Sequence, residues 1–343
     1  MRNYLQRFSI YFLMTYGLLL GASGDNIEVV TKVGTATANW LRIETGVRAI
    51  GMGGAFVAAG TGLSAIPYNP SGVAFIQKSE AYYSKSNYLA EITHNVLGYG
   101  VKLTNQDFLG FHLFYLNSGL MEVNTELSPG GTGEYFNVIS LSFRTVYARR
   151  LTDRLKVGMS LNYIRDQIYT TMMQTFAFDV GSNFNTGIYG FTLGMSISNF
   201  GPEVQYHGEG LQIVVPDTID VDERTSRVTE KFPLPLVFRL GIKNDIIGPE
   251  SEFIKNKSHR LSVAADGVNP IDYTVMGHVG IEYSYFEFAF LRTGIHLGHN
   301  TAGITGGGGL KIRAIGMNIL VDYAYVDYGI LKMTHQVGLS LEF

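Results

Sequence analysis

Histidine and glycine are the residues in this chain whose spacing invites chemistry. His296, His299 and Asn300 fall in one short stretch, and two imidazoles beside an amide would suit a metal if they reached one point. On a helix, a spacing of three or four shares a face. Where a strand runs into a loop it does not, so no metal ligand is expected there. Gly51-Met52-Gly53-Gly54 begins like a dinucleotide fingerprint, but Phe56 stands where the third glycine should be and no buried strand precedes it. Gly306 to Gly309 ahead of Leu310-Lys311 lacks phosphate-loop spacing and reads as a strand whose bare backbone lets a loop or an inner segment come close. No Gly-x-Ser-x-Gly elbow occurs, and none of the eight histidines has a recognisable nucleophile as partner. With Cys 0 there is neither thiolate chemistry nor a disulfide framework. The expectation is a non-enzyme, with no catalytic, cofactor-binding or metal-ligating residues and no cofactor.

Binding is a different matter. Residues 200–233 form the longest connection between strands, and they combine Leu211-Gln212-Ile213-Val214-Val215 with the acidic group Asp217, Asp220, Asp222 and Glu223. Long loops on a rigid scaffold often carry function. The candidate binding residues are Leu211, Ile213, Asp217, Asp220 and Asp222, and the alternative is a lid that simply covers the molecule.

What positions such a loop is legible in the periodicity. From about residue 80 the chain alternates apolar residues with small or polar ones, which in a strand puts the two kinds on opposite faces. Phe191, Leu193, Met195 and Ile197 oppose Thr192, Gly194, Ser196 and Ser198. Val157, Met159, Leu161 and Tyr163 oppose Lys156, Gly158, Ser160 and Asn162; Met317, Ile319, Val321, Tyr323 and Tyr325 oppose Asn318, Leu320, Asp322 and Ala324. The last segment sets Val337, Leu339, Leu341 and Phe343 against Gln336, Gly338, Ser340 and Glu342.

A soluble sandwich sets its apolar face against a charged one. Here the second face is rich in Gly, Ser, Thr and Asn, the charged fraction is only 16% against roughly 25% in soluble domains, and Tyr 21, Phe 21 and Gly 41 stand out. The pattern fits strands with lipid on one side and a lumen on the other.

Turn residues divide the chain into about fourteen strands near 80–90, 95–104, 107–118, 134–149, 154–166, 171–181, 188–199, 234–244, 258–266, 275–284, 286–294, 302–312, 315–326 and 333–343. Each is close to the roughly ten residues that a tilted strand needs to cross a bilayer, and an even number closes an antiparallel barrel without free edges. The fold class is therefore all-β membrane: an antiparallel transmembrane barrel of about 14 strands. With the first strand running outward, the external connections include the two longest, 119–133 and 200–233. The opposite turns are short, apart from 245–257.

Ahead of the strands, residues 1–24 read as a signal peptide: Arg2 and Arg7, an apolar run from Phe8 to Leu20, then Ala22-Ser23-Gly24. The run is shorter than the roughly 20 residues of a membrane-anchoring helix, which is the competing reading. Removing Arg2 and Arg7 takes the basic residues from 26 to 24 against 29 acidic, a net charge of −5. Nucleic acid is not an expected partner. Residues 25–79 carry Gly51, Gly53 and Gly54, then Asn69-Pro70-Ser71-Gly72, and lack alternation. Fourteen strands enclose more room than wall side chains fill, so this segment is expected as a plug inside the lumen, with 80–343 as the barrel. Charges such as Arg144, Lys156, Arg239 and Asp322 are expected to point inward, because facing lipid at midplane would cost about 2–4 kcal/mol.

The run Thr45 to Ala59 followed by Tyr68-Asn69-Pro70-Ser71-Gly72-Val73-Ala74 resembles the N-terminal signature of the PorV/PorQ family, a branch of the FadL-type outer-membrane barrels. Ile197-Ser198-Asn199-Phe200-Gly201-Pro202, Pro233-Leu234-Pro235 to Gly241 and Val321-Asp322-Tyr323-Ala324-Tyr325 to Gly329 resemble that family in the same order. The resemblance implies an integral outer-membrane location and an N-terminal plug bearing the Asn-Pro turn. It also implies Phe343 as the signal read by the outer-membrane assembly machinery. For the PorV members it implies a binding and shuttling role in type IX protein secretion, with protein cargo and a translocon as partners. For the FadL branch it implies uptake of small hydrophobic compounds. A purely structural barrel is the third reading.

Overall fold

A computed structural model describes residues 32–215, 223–226, 229–314 and 316–343. The expected signal peptide 1–24, residues 25–31 and the loop acids Asp217, Asp220 and Asp222 lie outside the described residues.

Fourteen long strands form the wall: β1 (Ser79–Asn87), β2 (Thr93–Lys102), β3 (Asp107–Asn117), β4 (Val138–Arg150), β5 (Leu155–Ile168), β6 (Thr171–Asn185) and β7 (Thr192–Phe200), followed by β8 (Val237–Gly248), β9 (His259–Pro270), β10 (Met276–Tyr285), β11 (Ala289–Leu297), β12 (Ile304–Ala314), β13 (Met317–Asp327) and β14 (Met333–Glu342). Every strand pairs antiparallel with the next. β14 returns to β1 with Tyr83 opposite Leu339, which closes the barrel. Closure leaves the wall no edge whose N–H and C=O groups lipid would have to satisfy. Bulges occur in β7 between Ile197 and Phe200, opposite Phe178 and Val180 of β6, and in β8 between Asp245 and Ile247, where one extra residue is absorbed.

The strand count matches the sequence expectation, while some ends move. The strand expected from 134 starts at Val138 because Tyr135–Phe136 instead pairs with Met121–Glu122 as a separate small ribbon in the preceding loop. The strand expected to stop at 181 continues to Asn185, since Ser182 to Phe184 still pair with β5. The two longest connections, 118–137 and 201–236, share one rim, as expected. The 249–258 turn on the other rim is long because Ile254–Lys255 folds back alongside β8.

The alternation becomes two physical faces. Met159, Val180, Met195 and Leu240 are each more than half exposed on the outside, whereas Ser160, Asn162, Ser196, Asp179 and Asp266 are buried inside. A belt of exposed Leu, Ile, Val, Met and Phe around a closed barrel is lipid-compatible surface. Arg144, Arg292 and Asp322 all lie on the buried face, and Arg239 is drawn in over the Tyr68 ring.

Met195→Arg, which puts a charge into the middle of the belt, is expected to destabilise the barrel by about 2–4 kcal/mol. Reversible urea unfolding in lipid measures this; an unchanged midpoint would mean that the belt does not face hydrocarbon.

Candidate functional site

The buried face of the wall does not surround open water; it surrounds the chain's own N-terminal segment. Between Thr37 and Ile76 the backbone makes only short turns: Asn39–Arg42, a single helical turn Val47–Gly51, Leu63–Ala65 and Pro70–Phe75. Small residues allow this compaction. Gly53 and Gly54 hold φ of 62° and 74°, the left-handed region that a side chain makes costly.

The segment meets the wall where the wall has no side chains. Gly280 and Gly294 lie against the Met52 and Gly53 backbone, Gly307 against Gly51, Gly194 against Val57, Gly158 against Pro70, and Gly181 against Asn69. A Cβ at any of these positions would run into its neighbour. Gly307 thus accounts for one glycine of the 306–309 run; Gly306 instead abuts the Tyr325 ring.

Between the glycines, wall side chains bind the segment's orphaned backbone groups. Asp266 of β9 accepts from the Phe56 and Val57 N–H groups at 2.6 and 2.8 Å. Ser196 donates to the Tyr68 carbonyl at 2.6 Å, and Asn183 to that of Ala58 at 3.0 Å. Asn69 caps the turn that begins at Pro70, accepting from the Ser71 N–H, and its amide donates to Val57 O and to Ser182 O on β6. Arg48 donates twice to Glu282 of β10 at 2.7 and 2.8 Å, and Glu282 in turn holds Arg292, which also meets Asp322. Removing one member of such a buried network leaves uncompensated charge, which typically costs 3–5 kcal/mol.

Toward the rim of long loops this packing opens into a cavity of about 430 Å³. Leu41, Ile43, Pro67, Tyr68, Val268 and Met276 give it an apolar lining, and Tyr88, Tyr273 and Tyr328 add rings nearer the mouth. Arg42 at the rim is paired with Asp272 at 2.8 Å. Arg239, deeper, donates to Ser198 and has no ion-pair partner among the described residues.

At its floor the Glu44 carboxylate accepts from His296 Nε2 at 3.1 Å, and His278 stands 3.8 Å from the same carboxylate oxygen. Burial alone would raise the Glu44 carboxyl. The His296 ring, helped by His278 and His299, outweighs that and holds it at about 2. Burial pushes His299 down, with His296 adding to the effect.

The sequence reading therefore needs correcting at the histidines. His296 and His299 do face one space, because the chain turns back at Gly298, φ 79°, after leaving β11. His278 was not a candidate at all. It joins them through strand register, lying directly opposite His296 across the β10–β11 pair.

Gly51, Gly53, Gly54, Asn69 and Pro70 all lie in the inner segment, the glycines against β10 to β12 and Asn69 and Pro70 against β5 and β6. Of the loop candidates, Leu211 ends a short turn in the external loop and is half-buried, and Ile213 belongs to the ribbon Gln212–Val215 with Glu223–Ser226. Phe343 continues β14, exchanging backbone hydrogen bonds with Ser79. The described part of the loop covers the barrel mouth: Tyr206 donates to Asp166 at 2.6 Å, and Val204 and Leu234 pack with Ala38, Ile164 and Met173.

Together these features define a closed fourteen-stranded membrane barrel whose interior is packed by the chain's own N-terminal segment. No family model matches the sequence, and no curated protein matches it. Solved structures do. The CymD monoaromatic hydrocarbon channel superposes with TM-score 0.55, covering 87% of this chain and 96% of its own at 13% identity. The toluene transporter TodX of Pseudomonas putida gives 0.53 over 86% and 96% at 10% identity, and a Pseudomonas aeruginosa FadL homologue 0.51 over 87% and 97% at 12%. The chain has the FadL-type outer-membrane barrel fold.

Gly294→Val would drive a branched side chain into the Met52–Gly53 backbone. It is expected to displace the inner segment, raising conductance in planar bilayers and exposing Arg48 to trypsin. Gly277→Ala, whose added methyl meets only ordinary contacts with Leu297, should change neither. A silent Gly294→Val would contradict the packing described.

Proposed function

We propose that this protein is an outer-membrane channel for small hydrophobic compounds, with residues 32–78 acting as its plug and the cavity at the mouth as the first binding station. The cavity carries the reading. Leu41, Ile43, Pro67, Val268, Met276 and the tyrosine rings give it an apolar and aromatic side, and Glu44, Arg239 and the histidines give it polar groups at the floor, a combination found in small-ligand sites; it lies where the strand ends of one rim meet the inner segment. The fold is shared with proteins described as a hydrocarbon channel and a toluene transporter, and shared fold alone does not set function. The guanidinium of Arg239, which has no ion-pair partner among the described residues, adds selectivity: it favours compounds that pair an apolar body with an anionic or π-rich group. Export through residues 1–24 and assembly through Phe343 belong to the same proposal.

The second reading is the secretion role implied by the PorV/PorQ resemblance. It rests on the motif order from Thr45 to Gly329 and on the long external loop, and it names protein cargo and a translocon as partners. Retention of a secreted cargo domain or a large translocon subunit on the detergent-solubilised barrel would favour it.

The test of the first reading is uptake of radiolabelled toluene and octanoate by cells with and without the gene. Wild type should accelerate entry of at least one of them. Val268→Trp, which fills the cavity, should bring uptake down to the level of the deletion while leaving the folded barrel in the membrane. Equal uptake with and without the protein would contradict the proposal.

A further inference from the structure

His278 is 7% exposed, and neither of its ring nitrogens has a hydrogen-bond partner among the described residues. Buried imidazoles are normally satisfied, so an unsatisfied one asks what it is aimed at. It is aimed at Glu44 and His296.

We propose that Glu44, His278 and His296 form a binding site for a divalent transition-metal cation of the zinc or cobalt class, which pins the inner segment to strands β10 and β11. The donor atoms already lie within 4.8 Å of one another. Tetrahedral zinc, with bonds of about 2.0–2.1 Å, spaces its donors by about 3.3 Å. His296 Nε2 and the Glu44 oxygen are at 3.1 Å, His278 Nδ1 is 3.8 Å from that oxygen, and the remaining span of up to 4.8 Å closes by movement of the imidazoles toward the ion.

Backbone geometry supports the arrangement. The two histidines are direct cross-strand partners on the inward face, a placement that keeps their Cβ atoms close. Gly54 leaves the space between Glu44 and His278 clear, since a Cβ there would collide with both. His296 Nδ1 faces the Gly303 carbonyl at 3.4 Å, the outer partner that leaves Nε2 free to bind a metal. Two imidazoles and one carboxylate suit zinc, cobalt, nickel or copper, whereas calcium and magnesium prefer all-oxygen sets. His299 is engaged through Nδ1 by the Ala302 N–H at 2.8 Å and is not counted among the donors.

Three protein donors leave one position open, and it faces the cavity. Arg239 and Arg42 line the same space. Their charge favours an anion or hydroxide over neutral water as the fourth ligand. The site does not depend on hydrocarbon transport, so it stands or falls separately from the function proposed above.

The experiment uses the full-length barrel in detergent, without a polyhistidine tag, stripped with EDTA and titrated with cobalt chloride and then zinc chloride. The expected result is one equivalent of Co²⁺ with the intense visible absorption of four-coordinate cobalt, displaced by one equivalent of Zn²⁺. His278→Asn, His296→Asn and Glu44→Gln should each lose that band while keeping the mobility of a folded barrel on unheated gels. His335→Asn, on the outer face beside Tyr323, should keep it. Absence of the band in folded wild type overturns the proposal, as does its persistence in both folded histidine variants.

Discussion

The structure depends on contact between two backbones. A barrel of fourteen strands encloses more volume than its inward side chains fill, and here the surplus is taken up by the chain's own N-terminal segment. That segment has little regular structure, so its N–H and C=O groups need partners that its own turns do not supply. Wall glycines let the two backbones touch, and Asp266, Ser196, Asn183 and Asn69 supply the missing hydrogen bonds. The polar face of the strands is thus a mould for the segment over most of its depth, and only toward one rim does it become the wall of a cavity.

Several features of the sequence follow from that constraint. Small residues alternate with apolar ones because one face meets lipid and the other meets backbone. Most of the arginines inside are paired across elements, Arg48 with Glu282, Arg292 with Asp322 and Arg144 with Asp179, while Glu80 and Asp266 bind backbone N–H groups of the inner segment. Arg239 departs from this pattern. It opens on the cavity with no carboxylate within ion-pair distance among the described residues, and that departure gives the cavity chemical character beyond its shape.

The barrel was legible because a period of two is local: Met195, Ile197, Ser196 and Ser198 reveal their faces without knowledge of any partner strand. Strand ends were less so. Whether Tyr135 joins β4 or a side ribbon is decided by Met121, which lies in another segment. The inner segment could be suspected from Gly51, Gly53, Gly54 and the Asn69-Pro70 turn. Its matching glycines at 158, 181, 194, 280 and 294 look in sequence like ordinary small lumen residues. The histidine cluster was missed for a similar reason. His278 and His296 are eighteen positions apart and meet through register, and Glu44 arrives from a segment with no periodicity. His296 and His299 drew attention, yet the turn at Gly298 that gathers them is a backbone event which spacing alone does not encode.

Amide hydrogen exchange on the lipid-embedded protein tests the central claim most directly. If the N-terminal segment is moulded into the barrel, the Phe56 and Val57 amides bound by Asp266 should exchange as slowly as those of the surrounding strands. Asp266→Asn should speed them far more than it speeds the strands. Exchange of residues 47–76 at the rate of surface loops in the wild-type protein would contradict the account.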